Sequence, residues 1–273
     1  MECCVFIHYS QDPELSPVDF HYVNELASLF PRVILATNER EFHPQNLPRY
    51  VEIRQYKNEG YDFGMFCKVV RELDLQDLDR LILANDSNIL IGDLEELIRL
   101  GSRLNVDIWG ALDSYERPWF STHAGEFHLQ SHFLVWEKTG LPCLQSFLEE
   151  YSFDSINRES DLTKIRRQII NDWEIGFSQY ALGKGLQLQA VHPAQQIATR
   201  SGIPVRTNFA MKYPEMLLER GYPFLKKKFI TRQTAWQRLI GPKKRWENLI
   251  RDYSIESSIG RQMLDYLQNQ RKK

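Results

Sequence analysis

The apolar run Leu81-Ile82-Leu83-Ala84 stops abruptly at Asn85-Asp86-Ser87, a carboxylate set between an amide and a hydroxyl. In an open α/β sheet, ligands bind just beyond the carboxyl ends of the strands. A lone Asp at such a place can hold a divalent cation against a diphosphate. The same three residues also suit an Asx-type turn, in which Asn and Asp bond nearby backbone. The segment alone is compatible with both readings.

Further stretches carry chemistry of a related kind. In Asn58-Glu59-Gly60-Tyr61-Asp62-Phe63-Gly64, two glycines bracket an Asp between aromatics just before a helical pattern. Asp62 can bond a ribose or sugar hydroxyl while Gly60 lets the backbone approach a ligand. Equally, it can cap a helix starting near Gly64, with Tyr61 and Phe63 packed on the first turn. In His128-Leu129-Gln130-Ser131-His132-Phe133, strand alternation puts His128, Gln130 and His132 on one face. That face either lines a sugar pocket or is an ordinary solvated one. Asn171-Asp172-Trp173-Glu174 offers two candidate general bases, Asp172 and Glu174, beside a Trp that can serve as a sugar platform. The competing account is a capping box, with Asn171 at the N-cap and Glu174 at N3. His192 either completes a cation site with Asp86 or is a satisfied polar residue.

These groups need a scaffold, and the first 112 residues supply a regular one. Strands are expected at Cys3–His8, Arg32–Thr37 (ending at Asn38), Tyr50–Tyr56, Arg80–Ala84 and Val106–Leu112. Helices are expected from Ser16-Pro17, which combines a capping hydroxyl with Pro at N1, to about Phe30, and over Gly64–Leu73. A third runs from the capping pair Asp93 and Glu96 to Gly101. Alternation of this kind is the signature of a mostly parallel sheet with helices on both faces. Beyond it, Glu126–Trp136 reads as one longer strand. Helices follow at about 141–151, 160–170 and 172–182, and Leu186–Val191 returns to the sheet. From Lys226 to Arg251 there are nine Lys or Arg against one acid, Glu247, interleaved with Phe229, Trp236 and Trp246. A basic amphipathic helix pair fits that composition, either resting on an anionic membrane surface or packing its aromatics back on the domain.

Composition narrows the function classes. The chain has 273 residues, 42% hydrophobic and 26% charged, with a net charge of −2. That balance gives no global case for nucleic-acid binding. The four cysteines show no metal spacing, and reduced, buried thiols are expected. A secretory leader and an eighteen-residue apolar run are both missing from the pattern, so the expectation is a cytoplasmic protein, either free or peripheral on the inner membrane face. Neither a GxGxxG nor a Walker A sequence is present, which points to side chains and a cation as holders of any diphosphate.

Taken in order, several stretches resemble the rhamnan synthesis protein F family of bacterial glycosyltransferases. They are His8-Tyr9, Asn58-x-Gly60-Tyr61-Asp62-Phe63-Gly64, Asn85-Asp86-Ser87, Gln130-Ser131-x-Phe133, Trp173-Glu174-Ile175-Gly176 and Gly221-Tyr222-Pro223-Phe224-Leu225-Lys226. The resemblance implies a GT-A-like, Rossmann-type α/β domain over residues 1–210 and a helical extension over 211–273. It also implies transfer of a deoxyhexose, most plausibly from dTDP-L-rhamnose, to a cell-envelope or lipid-linked glycan. Asn-Asp-Ser stands where many such enzymes carry two acids, so Asp86 would be the one strong ligand for Mg²⁺ or Mn²⁺. The expected donor contacts are His8, Asn38, Asn58, Gly60, Asp62, Asn85, Ser87, His128, Gln130, Ser131 and His132. Glu174 or Asp172 would be the base of an inverting displacement. Two rivals share the pocket: a non-catalytic nucleotide-sugar or glycan-binding module, and a nucleotidyltransferase.

Overall fold

The computed structural model describes residues 1–44, 46–151, 159, 161–231 and 245–270. Strands β1 (Glu2–His8), β2 (Val33–Asn38), β3 (Val51–Tyr56) and β4 (Arg80–Asn85) alternate with helices α1 (Pro17–Leu29) and α2 (Tyr61–Arg71). There follow β5 (Asn88–Leu90), α3 (Leu94–Gly101), β6 (Ile108–Ser114), β7 (His128–Leu129), β8 (Phe133–Glu137) and α4 (Leu141–Glu150). Helices α5 (Leu162–Ile169) and α6 (Gly176–Gly183) are joined by a π-helical segment, Ile170–Ile175. Then come β9 (Leu188–His192), α7 (Ala194–Ser201), α8 (Phe209–Lys212), α9 (Pro214–Leu218), β10 (Phe224–Lys226), α10 (Lys227–Thr231), α11 (Arg245–Tyr253) and α12 (Ser257–Gln270).

The main sheet runs β3-β2-β1-β4-β8-β6, with β7 and β9 both paired to β6. Pairings β3–β2, β2–β1, β1–β4 and β6–β9 are parallel, and β8 is antiparallel to both β4 and β6. The carboxyl ends of β1, β2, β4, β6 and β9 therefore share one edge. Strands β1, β2 and β4 are apolar because both faces are covered. Cys3, Val5 and Ile7 face a core with Phe66, Val70, Leu144 and Phe177, while Cys4 and Phe6 face another with Tyr22, Leu26, Leu97 and Ile197. All four cysteines are free and buried. The expected α/β class, mostly parallel with helices on both faces and at the C-terminus, is the one observed.

Four local expectations change. Glu126–Trp136 is not one strand: it breaks between β7 and β8, where Gln130 N–H donates to Leu112 O and Asn85 N–H to His132 O. The helices expected at 160–170 and 172–182 are one run through the π-segment, so Asn171 starts nothing. Strand β5, not expected, pairs antiparallel with β10, placing Lys226 opposite Asn88. Finally, the boundary expected at 210 falls inside a shared core, since Phe209, Ala210, Leu217, Tyr222 and Phe224 pack with β1 and α1 residues.

In the basic stretch, Trp246, Leu249 and Ile250 are buried against Ile89, Leu225, Met263 and Leu264. The described part thus turns its apolar side chains inward, while Trp236 lies outside the described residues. Among the described residues, no helix is long and apolar enough to cross a membrane.

Candidate functional site

At the carboxyl edge, where β1 and β4 end, a cavity of about 550 Å³ opens against the start of α2 and the side of α5. Its walls include Tyr9, Asn58, Gly60, Tyr61, Asp62, Asp86, Ser87 and Leu162. A volume of this size is ordinary for a ligand pocket.

The turn after β4 resolves the ambiguity of its sequence. Asn85 Oδ1 accepts from Ser87 N–H (3.1 Å) and Ser87 Oγ (2.5 Å), so the Asx turn belongs to Asn85. Asp86 is left to face the cavity, held by the Tyr9 N–H at 3.2 Å. Burial raises its carboxyl above the ordinary range, against the pull of Lys227, whose Nζ lies 3.9 Å away.

Lys227 was not evident in the sequence as a site residue. The antiparallel pairing of β10 with β5 delivers it, and its backbone N–H donates to Ser87 O at 3.0 Å. Its ammonium bonds Asp19 at 2.8 Å. Asp19 is a buried first-turn residue of α1 that also accepts from Ser16 Oγ (2.6 Å) and lies 3.7 Å from His8 Nε2. Burial alone would raise the Asp19 carboxyl, but Lys227 and His8 hold it well below the ordinary range. His8 Nδ1 lies 3.2 Å from Thr37 Oγ1, and Arg40 donates to Thr37 Oγ1 (2.6 Å) and Asn38 Oδ1 (3.0 Å) while stacking on Phe42. The ends of β1 and β2 thus carry a cation that the sequence did not flag. The signal for Lys226 and Lys227 lay in Gly221–Lys226, a match to the family with no role attached.

The second wall is acidic. Asp62 does not cap α2: the N-cap is Gly60, with no side-chain cap bond, and the helix begins at Tyr61. Gly60 (φ 75°) and Tyr61 (φ 53°) are both left-handed, which turns the chain sharply into the helix. Gly60→Ala is expected to cost about 1–2 kcal/mol for a left-handed non-glycine residue, measurable by urea unfolding. Burial, then the negative charges of Asp86 and Glu174, push the Asp62 carboxyl up to about 7. A carboxyl raised this way is protonated in the folded state where the unfolded chain, at 3.8, has ionised. Its contribution to stability therefore falls as pH rises from about 4 to about 7 and stays low above that. Asp62→Asn should be more stable than the parent at pH 8, by on the order of 2–4 kcal/mol, with the difference vanishing below pH 4. Parallel thermal melts at both pH values check this.

Glu174 completes the cluster. Its Oε1 accepts from Ser131 N–H (3.2 Å) and Ser131 Oγ (3.1 Å), which joins two stretches far apart in the chain. The carboxylate also lies within Coulombic reach of Asp62 and of Lys226, whose ammonium burial weakens as an acid-binding cation. A π-segment inserts an extra residue into a helical turn and often marks a functional site. In this one, Asn171 O meets His123 Nε2 at 2.9 Å. Asp172 takes a bond from Asn171 Nδ2 (2.6 Å), and its charge acts on the Tyr151 hydroxyl, whereas Glu174 is bound by Ser131. The capping box is absent, and the two candidate bases are separated. Trp173 is core rather than a sugar platform, buried against Phe63, Phe147 and Tyr151.

Other expected donor contacts stand behind the site. His128 Nδ1 pairs with Glu126 O (3.0 Å), Gln130 Nε2 donates to Asp113 O (3.4 Å), and His132 Nε2 meets Tyr222 OH (2.8 Å). All three are buried, so the polar face expected on one strand is an internal support. His192 ends β9, with β8 and β6 between it and β4. Strand spacing of about 4.8 Å puts it roughly 14 Å from the Asp86 turn, too far to share a cation with it.

Relatives agree with the overall picture at different depths. The chain is 24% identical over 204 residues to Virulence protein VirA of Vibrio anguillarum, which covers 64% of this chain. It spans only 60% of the length of these curated relatives. Among solved structures, the bifunctional IspDF of Campylobacter jejuni aligns with TM-score 0.38 and 10% identity, over 69% of this chain and 49% of that one. A Bacillus anthracis protein described as a glucose-1-phosphate thymidylyltransferase, in complex with a sucrose, aligns with TM-score 0.42 and 6% identity, over 69% and 86%. Both structural likenesses are faint. The match that decides is to the sequence profile of rhamnan synthesis protein F, which runs through residues 35–272 and so through nearly all of this fold: the chain belongs to that family.

Proposed function

We propose that this protein is a glycosyltransferase that moves a sugar from a nucleotide donor to a glycan in polysaccharide synthesis. The observation that carries the reading is one constellation: a Ser131-held Glu174, Asp62 and Asp86 beside Lys227, at the carboxyl edge of the sheet. The donor nucleotide lies over the ends of β1 and β2, near Arg40 and Asn38, and its diphosphate lies alongside the Asp86–Lys227 pair. Lys227 stabilises the negative charge that grows on the leaving diphosphate, the electrostatic contribution that is usually largest in such displacements. Glu174 accepts the proton of the acceptor hydroxyl as that oxygen attacks the anomeric carbon, which inverts. Ser131 fixes the carboxylate so that one lone pair faces the acceptor. Asp62, protonated near neutral pH, donates a hydrogen bond to a sugar hydroxyl.

The donor set bears on the cation. Among the described residues, no three His, Cys, Asp or Glu side chains form a metal-binding group. Asp86 alone fits the mode in which Mg²⁺ takes one carboxylate, several waters and the ligand's own phosphate oxygens. Bound in that way, Mg²⁺ or Mn²⁺ supplies further neutralisation of the diphosphate. The proposed donor is dTDP-L-rhamnose or a related deoxyhexose, and the acceptor a cell-envelope or lipid-linked glycan, from family membership.

The test is a thermal-shift screen against UDP-, GDP- and dTDP-sugars with and without Mn²⁺, followed by assay of nucleoside diphosphate release. Ligand at a hundredfold excess over its dissociation constant stabilises by about 2.7 kcal/mol. A shift with one nucleotide and acceptor-dependent release is expected. Binding with no release in the presence of a glycan acceptor would favour a non-catalytic module.

A further inference from the structure

His192, which the catalytic reading does not use, lies in a second cavity on the opposite face of the sheet. This cavity, about 270 Å³, is bounded by Leu100 of α3, Val191 and His192 of β9, Ile197 and Arg200 of α7, and Arg220. Two arginines therefore border one small space. Among the described residues, neither Arg200 nor Arg220 has a carboxylate within ion-pair distance. Arg220 is oriented by donating from Nη1 to Met216 O at 2.7 Å, which leaves the rest of its fork unused by that bond. His192 is 7% exposed, and its Nε2 has no hydrogen-bond partner. Burial, then Arg220, hold the ring down to about 4, so His192 is a neutral wall of the cavity. Asp113, the acid on the adjoining strand, is turned to the Ala194 N–H at 2.5 Å.

We propose that Arg200 and Arg220, beside the neutral ring of His192, form a second anion site, for a phosphate or diphosphate group distinct from that of the sugar donor. Planar, bidentate guanidinium forks are the side chains best matched to phosphate oxygens. A 270 Å³ cavity is smaller than the usual range for whole cofactors, and it suits a single anionic group. Leu100, Val191 and Ile197 supply apolar walls for whatever carries that group. The inference is independent of the transfer reading, because it needs none of the groups around Asp86. The phosphate can belong to a small soluble ligand or to a lipid headgroup.

Histidine-ring NMR of the full chain during titration with inorganic pyrophosphate tests the site directly. The His192 resonances should shift saturably, and the double variant Arg200→Gln, Arg220→Gln should weaken that response at least tenfold while the His132 resonances stay in place, reporting an intact fold. A second arm compares vesicles of phosphatidylcholine with and without phosphatidic acid. Vesicle binding that the double variant loses identifies a headgroup site, and a pyrophosphate response without vesicle binding identifies a soluble anion. An unmoved His192 in both arms, or a response that survives loss of both arginines, overturns the proposal.

Discussion

Glu174→Gln should lower turnover by about 10²–10⁴-fold, the range for removing a positioned general base, while leaving donor affinity and melting temperature almost unchanged. The reason lies in what Glu174 contacts. Its Oε1 accepts from the Ser131 N–H and hydroxyl, and a glutamine amide oxygen can accept both bonds in the same place. What the amide cannot do is take a proton from an acceptor hydroxyl. Stability should thus be retained, unlike the outcome for a capping-box residue, whose loss would lower activity and stability together. Glu174 also sits inside a π-segment whose neighbours are buried aromatics, so the backbone that aims it is independently held. Asp172→Asn provides the internal comparison: bonded by Asn171 rather than Ser131, it should leave turnover within a few-fold of the parent. Steady-state kinetics and melts on the two variants decide the matter. Equal loss in both, or full activity in Glu174→Gln, would remove Glu174 from the base role.

The contrast between these two acids shows what the sequence could and could not convey. Asn171 and Glu174 stand three apart, a spacing shared by a capping box and by any two neighbours along a helix. The partner that distinguishes them is Ser131, 43 positions away, and no local pattern contains it. The strands were legible because burial on both faces leaves an unbroken apolar run, and each run ends where a polar residue meets the sheet edge. At Asn85-Asp86 the Asx turn belongs to the amide, and the neighbouring carboxylate is left over to face the cavity. Alternation at 128–133 was real but its direction was not, because the strand breaks and Tyr222 covers His132 from the inside. The pairing of β5 with β10, far apart in the chain, was illegible, since three-residue strands lie below the length at which periodicity speaks. With it went Lys226 and Lys227, which composition placed in a basic amphipathic helix pair.

Lys227→Met should be the most damaging single change to the scaffold of the site. The ammonium bonds Asp19 at 2.8 Å and stands 3.9 Å from Asp86, so its loss leaves two carboxylates without their shared cation. Removing one member of a buried pair costs 3–5 kcal/mol, and about 3 kcal/mol is expected because 31% of the Lys227 side chain remains exposed. The pH dependence has a definite sign. Lys227 and His8 hold the Asp19 carboxyl below its ordinary 3.8, so the pair contributes fully above that value and is lost as pH falls through the lowered one. The deficit of the variant should therefore be greatest at neutral pH and shrink on acidification below about 4. Donor binding separates the structural effect from the functional one. Calorimetric titration with the nucleoside diphosphate at a temperature where the variant is fully folded should show affinity reduced by tenfold or more. Lys227→Arg, which keeps the charge but not its position, should recover stability ahead of affinity. If the folded methionine variant bound the diphosphate as tightly as the parent, Lys227 would be a strut for Asp19 alone, and the charge that receives the leaving group would have to come from Arg40 or from a cation at Asp86.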